Sequence, residues 1–435
     1  MSKPIKAIIV GAGHRALIYA SYALERPDKL QIVGVADPIE SRRKKAQEIH
    51  KFPDHMMFTS AEELASKGKL ADAVINGTMD NQHVETTLPL LEAGYDVLLE
   101  KPFAVNEEEM WELYEAAKKY KRTICICHVL RFAPFYSEIK QRILNNEIGD
   151  IINIQLTEHV NYHHLAVSYI TGKWGNEEEC GTTMLMAKCC HDMDIMVWLM
   201  NHTRPKYVSS FGSDFQFDES KKPQGAGTRC MVDCEIEEEC LYSAKKLYID
   251  HPDRWSFYVW DELEDSGAPL TIENKIKSLK TDNRHGRCVW DCNHTVVDHQ
   301  SVLVEFEDGS TGTLNMIGGS SKEDRTIHII GTTGEIEGVL GESKYVVRKI
   351  DPRPGHEYSE EEYTLDVDGD ASGVNGTHGG GDLRLVADFV DLLSGETPSV
   401  STTSIEDSIM GHHLVFKADE ARVNRQVVEI DTKDL

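Results

Sequence analysis

The 435-residue chain reads as an α/β protein in two parts: a doubly wound parallel sheet over residues 1–130, then an α+β domain over residues 131–435 built on an open, largely antiparallel sheet. Two observations predict this. The first third alternates short buried apolar runs with helical stretches, the pattern of βαβ units that lay strands in parallel. Beyond Arg131 the runs lengthen, alternate apolar with polar residues and are joined by turns such as Glu307-Asp308-Gly309-Ser310, which is hairpin chemistry. The length also exceeds what one hydrophobic core usually serves.

The first expected strand, 5–10, runs into Gly11-Ala12-Gly13, a helix over 15–24 and a strand over 31–36 that stops at Asp37. Strands follow near 57–58 and over 73–76, 96–100 and 123–127, separated by helices over 41–50, 61–67, 83–93 and 107–120. In the second part, strands are expected over 151–160, 207–211, 301–306, 312–316, 326–330 and 334–339. Helices are expected over 188–200, 382–393 and 405–424, and a loop rich in Gly and Asp over 366–381.

A formal net charge of -27 repels phosphate backbones and anionic membranes, so neither nucleic acid nor a membrane surface is an expected partner. No apolar run approaches the ~20 residues of a membrane span. Residues 1–6 lead almost directly into the first strand, leaving no room for an export signal, so a cytoplasmic location is expected. The ten cysteines are then read as thiols or ligands, not disulfides.

Gly11 and Gly13 permit a tight turn and close backbone approach to a pyrophosphate, and Ala16 is the small residue where helix meets strand. The helix amino terminus offers unpaired N–H groups to phosphate. Asp37 stands where a carboxylate accepts both ribose hydroxyls and repels a 2'-phosphate, which favours NAD over NADP. Arg42 and Arg43 read either as solvated residues of the next helix, the preferred reading, or as ligands of a 2'-phosphate, which would weaken the preference for NAD. Asn76-Gly77-Thr78, with Asn81 and His83, ends another strand on the nicotinamide-ribose side. Glu100-Lys101-Pro102 closes the run 95–99 and puts a lysine at the carboxyl edge of the sheet, where ligands bind in open α/β folds.

In this order and spacing, Gly11-Ala12-Gly13, Asp37, Asn76-Gly77-Thr78, Glu100-Lys101-Pro102, Arg131-Phe132, His191-Asp192-Met193-Asp194 and His378-Gly379-Gly380-Gly381-Asp382 resemble the glucose-fructose oxidoreductase / inositol dehydrogenase / MocA (Gfo/Idh/MocA) family over nearly the whole chain. The resemblance implies an N-terminal Rossmann domain, an open-sheet domain serving as a homo-oligomer interface, and NAD(P)-dependent oxidation of sugars or cyclitols. It implies that Lys101 lies beside the nicotinamide and the reacting carbinol, with His191 as its catalytic partner. Cofactor contacts are expected from Gly11, Gly13, His14, Arg15, Ala16, Asp37, Asn76, Gly77, Thr78, Asn81, His83, Glu100, Lys101 and Arg131. Many members carry a carboxylate four residues before the histidine, where this chain has Ala187.

Lys188-Cys189-Cys190-His191 resembles the branch of sugar and glycoside 3-dehydrogenases, so oxidation at carbon 3 of a glucosyl group is the specific expectation. Lys188, Tyr162, His164 and Trp174 are the expected sugar contacts, since polar edges and flat rings suit a sugar. Asp194 is expected to orient the His191 ring and Asp192 to turn to solvent or another domain. An insertion near 215–297 carries Cys230, Cys234, Cys240 and Cys288, which read either as ligands of a structural zinc or iron-sulfur cluster or as packed thiols. Other readings are a cyclitol or free-sugar dehydrogenase, a redox glycosidase that recycles its NAD, and a sugar or nucleotide sensor without chemistry.

Overall fold

The structure, a computed structural model, describes residues 3–251, 253–365 and 378–431. Residues 366–377 of the expected Gly- and Asp-rich loop lie outside them. The apolar runs of the first part form β1 (Ile5–Val10), β2 (Leu30–Ala36), β3 (Met57–Phe58), β4 (Ala73–Asn76), β5 (Asp96–Leu99) and β6 (Ile124–Ile126), all parallel in the order β3-β2-β1-β4-β5-β6. In β1, Ala7 and Ile9 enter one core and Ile8 and Val10 the other, so helices cover both faces and the strand reads as continuously apolar. The order reverses between β1 and β4, which opens a crevice at their carboxyl ends.

The expected helix 15–24 is α1 (His14–Ala20) and a short helix Tyr22–Glu25, joined at Ser21. The second sheet has nine strands: β7 (Ile151–Asn161), β8 (Pro205–Ser213), β9 (His299–Phe306), β10 (Thr311–Ser320), β11 (Asp324–Gly331), β12 (Gly334–Val339), β13 (Lys344–Ile350), β14 (Tyr358–Thr364) and β15 (Val428–Glu429). Their order is β14-β13-β12-β11-β7-β10-β9-β8-β15, and every pair except β7 with β10 is antiparallel.

Sequence patterning misses β13, β14 and β15. β14, with the sequence YSEEEYT, is exposed at nearly every position and so lacks an apolar alternation. Arg348 of β13 joins Glu335 and Glu337 of β12 to Glu360 of β14, so charges stabilise this edge and discourage pairing with another chain.

α2 (Met184–Leu199) is buried at all sixteen positions, as a helix apolar nearly all round must be, and packs between the second sheet and α4 (Ile405–Asn424). α3 (Gly381–Leu393) returns to the first sheet, where Leu385, Val386, Phe389 and Val390 share a core with Ala16 and Tyr19. The insertion folds as short helical pieces, including Ser256–Val259, Asp261–Asp265 and Ile272–Lys280, and sends Leu247, Tyr248, Val259 and Trp260 into the second core.

Arg131, expected at the cofactor, instead ties these elements together. Its guanidinium donates to both carboxylate oxygens of Asp194 on α2, at 2.7 and 2.6 Å, and to the carbonyls of Thr402 and Asp407. Both partners are buried, so Asp194 neither reaches substrate nor orients His191, and neutralising it leaves a guanidinium charge uncompensated. Asp194→Asn is expected to lower stability by about 3–5 kcal/mol, read as a fall in the urea unfolding midpoint.

Three core histidines set an acid limit. Burial pushes His285 and His412 down to about 3 and His128 down to about 4, from an ordinary value of 6.5. An unfolded chain therefore binds protons that the folded core refuses as pH falls from about 6.5 toward about 4. Stability from these groups is complete above the unfolded value and drains away through that window. The melting temperature is expected to drop across it, and His128→Phe to flatten the drop.

Candidate active site

A cleft of about 560 Å³ runs from the turn after β1 to the amino half of α2. At one end the chain turns at Gly11, whose φ is +73° and whose Cβ, were there one, would stand 2.7 Å from the Thr78 amide nitrogen. Only glycine allows the loops after β1 and β4 to cross so closely. A Cβ at Gly13 meets nothing within 4 Å, so the backbone there is open. Ala16 is buried behind this turn, its Cβ against Gly77. Asp37 follows β2; its carboxylate accepts from the Ala12 and Ile39 amides, each at 2.8 Å.

These residues fit a dinucleotide: an open glycine backbone for a pyrophosphate and a fixed carboxylate for ribose hydroxyls. Asn76 supports the site from within; its amide donates to Thr86 and Thr87 at 2.9 Å, and its oxygen accepts from Thr78. The His83 ring spans the carbonyls of Pro102 and Thr78 at 2.7 and 3.1 Å, holding two loops of the cleft together. Asn81 is exposed and does not line the cleft, whereas Gln82 does.

The insertion closes the far wall. Phe257 stacks on His14 with ring centroids 4.0 Å apart, and Asp265 takes Arg42 in a two-point pair at 2.9 and 2.6 Å. Arg43 donates to the Asp37 carbonyl, so neither arginine is simply solvated. Asp261 and Glu264 line the same wall.

At the other end lies Lys101, whose ammonium donates to the Ala187 carbonyl at 2.8 Å. Glu100 accepts from Arg15 at 3.0 Å, from the Tyr19 hydroxyl at 2.7 Å and from the Lys101 amide. Burial opposes its charge, but Arg15 and Lys101 hold its carboxyl below the usual range, so it is ionised. Arg15, expected at the cofactor, pairs with both Glu100 and Asp382. His191 faces Lys101; burial first, then the Lys101 charge, hold its imidazole well below the ordinary value, so it is neutral at neutral pH.

Lys188 forms ion pairs with Glu158 at 3.0 Å and Glu323 at 3.3 Å, and Glu323 also takes His164 at 2.7 Å. Burial works against the Lys188 charge, but the two carboxylates raise its pKa. Arg325 completes the cluster on Glu158 at 2.7 Å and on Asp192 at 2.9 Å, so Asp192 is buried and paired instead of turned outward. A π-helical turn, Leu165–Ile170, brings Ser168 and Tyr169 into the cleft beside Trp174, whose indole donates to Asp80 at 2.8 Å. Tyr162 lies outside the cleft, turned toward Tyr242 of the insertion with ring centroids 6.1 Å apart.

Arg325 and Lys173 also line the cleft, and no sequence pattern announces them as site residues; His378, which belongs to the closing glycine motif, lines it too. Cys230, Cys234, Cys240 and Cys288 line one small cavity as free thiols. Among the described residues no three His, Cys, Asp or Glu side chains are arranged to hold a metal ion.

Comparison with known proteins agrees with this geometry. Residues 5–128 match the model of an oxidoreductase family, NAD-binding Rossmann fold, and residues 140–430 that of the same family's C-terminal alpha/beta domain. The Bacillus subtilis (strain 168) protein YteT is 25% identical over 334 residues, 75% of this chain and 73% of the relative. D-glucoside 3-dehydrogenase of Escherichia coli (strain K12) is 31% identical over 34% of this chain and 42% of its own length. Inositol 2-dehydrogenase of Corynebacterium glutamicum (strain R) is 27% identical over 36% of this chain and 45% of its own length, so the chain spans less than half of these two dehydrogenases.

The solved structure of scyllo-inositol dehydrogenase from Lactobacillus casei with NAD(H) and scyllo-inositol superposes with a TM-score of 0.65 at 15% identity, covering 98% of this chain and 99% of that one. Among the described residues no helix is long and apolar enough to cross a membrane. The chain belongs to the Gfo/Idh/MocA oxidoreductase family, which the two family models together cover almost from end to end.

Proposed function

We propose that the protein is an NAD-dependent dehydrogenase that oxidises a secondary ring hydroxyl of a sugar or glycoside, with carbon 3 of a glucosyl group as the preferred position. The observation that carries this reading is one continuous cleft joining the Gly11–Gly13 turn and Asp37 to Lys101 and His191. NAD supplies a two-electron acceptor for the carbinol hydride. Gly11, Gly13 and Thr78 would hold its phosphates and nearer ribose, and Asp37 the adenosine ribose. Preference for NAD over NADP is supported by Asp37, by Asp261 and Glu264 on the facing wall, and by Arg42, which is already paired to Asp265.

Lys101 holds the carbinol oxygen, and neutral His191 accepts its proton. Tyr169 and Trp174 offer apolar faces to the ring, while Lys188 and His164, both held by Glu323, bind neighbouring hydroxyls. The relative that acts on D-glucosides supports the position of oxidation; the inositol dehydrogenases support a cyclitol as the other substrate class. A second reading, in which NAD stays bound and is reduced and reoxidised in place, is favoured by the insertion packed across the nucleotide half through the His14–Phe257 stack and the Arg42–Asp265 pair.

The protein acts in the cytoplasm as a homo-oligomer. Ile317, Leu303 and Phe211 stand exposed on one side of neighbouring strands of the second sheet, an apolar face that a second copy would cover.

Absorbance of NADH with a panel of glucosides, inositols and free sugars tests the reading. Turnover of at least one glucoside is expected, with Lys101→Ala reducing kcat by about a hundredfold or more. No NADH from any substrate, or an unimpaired variant, contradicts it.

A further inference from the structure

Ala187, four residues before His191, offers the histidine no carboxylate, and its carbonyl is occupied by Lys101. His191 Nδ1 is buried and has no hydrogen-bond partner in the protein. The groups bearing on this ring come from four directions: Lys101 after β5, His128 after β6, Arg325 on β11 and His378 ahead of α3. Lysine and arginine carry no lone pair for a proton at neutral pH. The His128 ring lies 5.8 Å from that of His191, but its nearest carboxylate, Asp194, stands 3.8 Å from Nε2, beyond hydrogen-bond distance, and is already held by Arg131. His378 differs in having a carboxylate within hydrogen-bond distance.

The His378 ring centroid lies 5.9 Å from that of His191, its plane tilted by 51°, a separation of the size that a single water can span. On its other side Nδ1 meets both oxygens of Asp382, at 3.2 and 3.1 Å, one helical turn further on. Asp382 is in turn held by Arg15. Burial, with Arg15 and Arg325, holds the His378 ring below its ordinary value, and Asp382 is the one group that favours its charge; His191 is the remaining neighbour.

The backbone fixes this placement. His378 has a φ of +38°, in the left-handed region that non-glycine residues rarely occupy, and Gly379 and Gly380 continue there at +63° and +81°. The segment then passes so close to the chain after β6 that a Cβ on Gly381 would stand 2.2 Å from the Val129 carbonyl oxygen. Backbone strain held by such packing gathers where a side chain must be aimed.

We propose that His378, oriented by Asp382, is the positioning residue that gives His191 the acid-base partner missing at Ala187 and takes up the carbinol proton through it. This rests on the dehydrogenase reading. Bound NAD would supply the acceptor for the hydride that leaves as the carbinol C–H bond breaks, and the O–H proton passes to the unprotonated nitrogen of His191. The proton already on the other nitrogen of His191 moves through the bridging water to His378, and the Asp382 carboxylate balances the imidazolium that forms. The products are the ketone, NADH, neutral His191 and protonated His378, so one proton and one hydride are accounted for.

The test uses the full-length protein with NAD bound, labelled with ¹⁵N-histidine. NMR is expected to show His378 with its proton on Nδ1, and Asp382→Asn to lower its titration midpoint by about one unit, because the carboxylate favours the charged ring. A His378 midpoint that does not move with Asp382→Asn overturns the proposal.

In turnover, His378→Gln is expected to lower kcat at neutral pH by tenfold to about a hundredfold. The sugar KM should stay within about twofold, and the deficit should shrink as pH rises and hydroxide replaces the lost acceptor. A raised KM with an unchanged pH profile of kcat overturns it. Since Asp382 also braces Arg15, His378→Gln keeps the question open to test should Asp382→Asn fold poorly. The NMR arm needs no substrate: a wild-type protein that oxidises no sugar counts against the dehydrogenase reading, while an unmoved His378 midpoint counts against this proposal.

Discussion

The guanidinium of Arg15, at the start of α1, is the point on which the cleft depends. It pairs with Glu100 at the end of β5 and with Asp382 at the start of α3, and the Tyr19 hydroxyl closes the group at 2.6 Å. Three distant stretches of chain meet there: the glycine turn, the strand edge that carries Lys101, and the C-terminal segment that carries His378. An ion cluster with both carboxylates buried stabilises little against a well-packed apolar alternative, but it tolerates only one register. Arg15 thus acts on the site through geometry.

Around that point the buried charges form separate closed groups. Arg131 and Asp194 brace α2 from behind, and the Lys188, Glu158, Glu323 and Arg325 cluster braces it from the second sheet. α2 is therefore held on both flanks where it presents His191. Pairing lets a helix buried at every position carry Lys188, Asp192 and Asp194 at all, whereas His191 is carried neutral. α2 offers His191 no carboxylate, because both acids on this stretch, Asp192 and Asp194, are already committed to an arginine.

The parallel sheet was legible because β1, β4 and β5 are buried on both faces and bounded by glycine or helix caps, a local signal. β14 escaped because it is exposed at nearly every position, and β13 because only Tyr345 and Val347 of its seven residues are buried, too few to mark a strand in sequence. The site divides in the same way. Gly11, Asp37, Lys101 and His191 belong to compact motifs and lie along the cleft. Glu323 and Arg325 stand 135 and 133 residues from the α2 partners they meet, so only the folded sheet brings them in. Arg131 and Asp194 were misread for the reverse reason: each sits in a recognisable motif, but their mutual pairing across 63 residues removes both from the cleft.

The central claim is that one cleft holds a dinucleotide at Asp37 and the reacting carbinol at Lys101 and His191. A crystal structure of the protein with NAD and a non-reacting glucoside analogue tests it most directly. The account predicts the adenosine ribose on the Asp37 carboxylate and the nicotinamide at Lys101, with the carbinol carbon roughly 3–3.5 Å from the ring carbon that takes hydride. A nicotinamide facing away from Lys101, or a sugar bound outside the reach of His191, would contradict it.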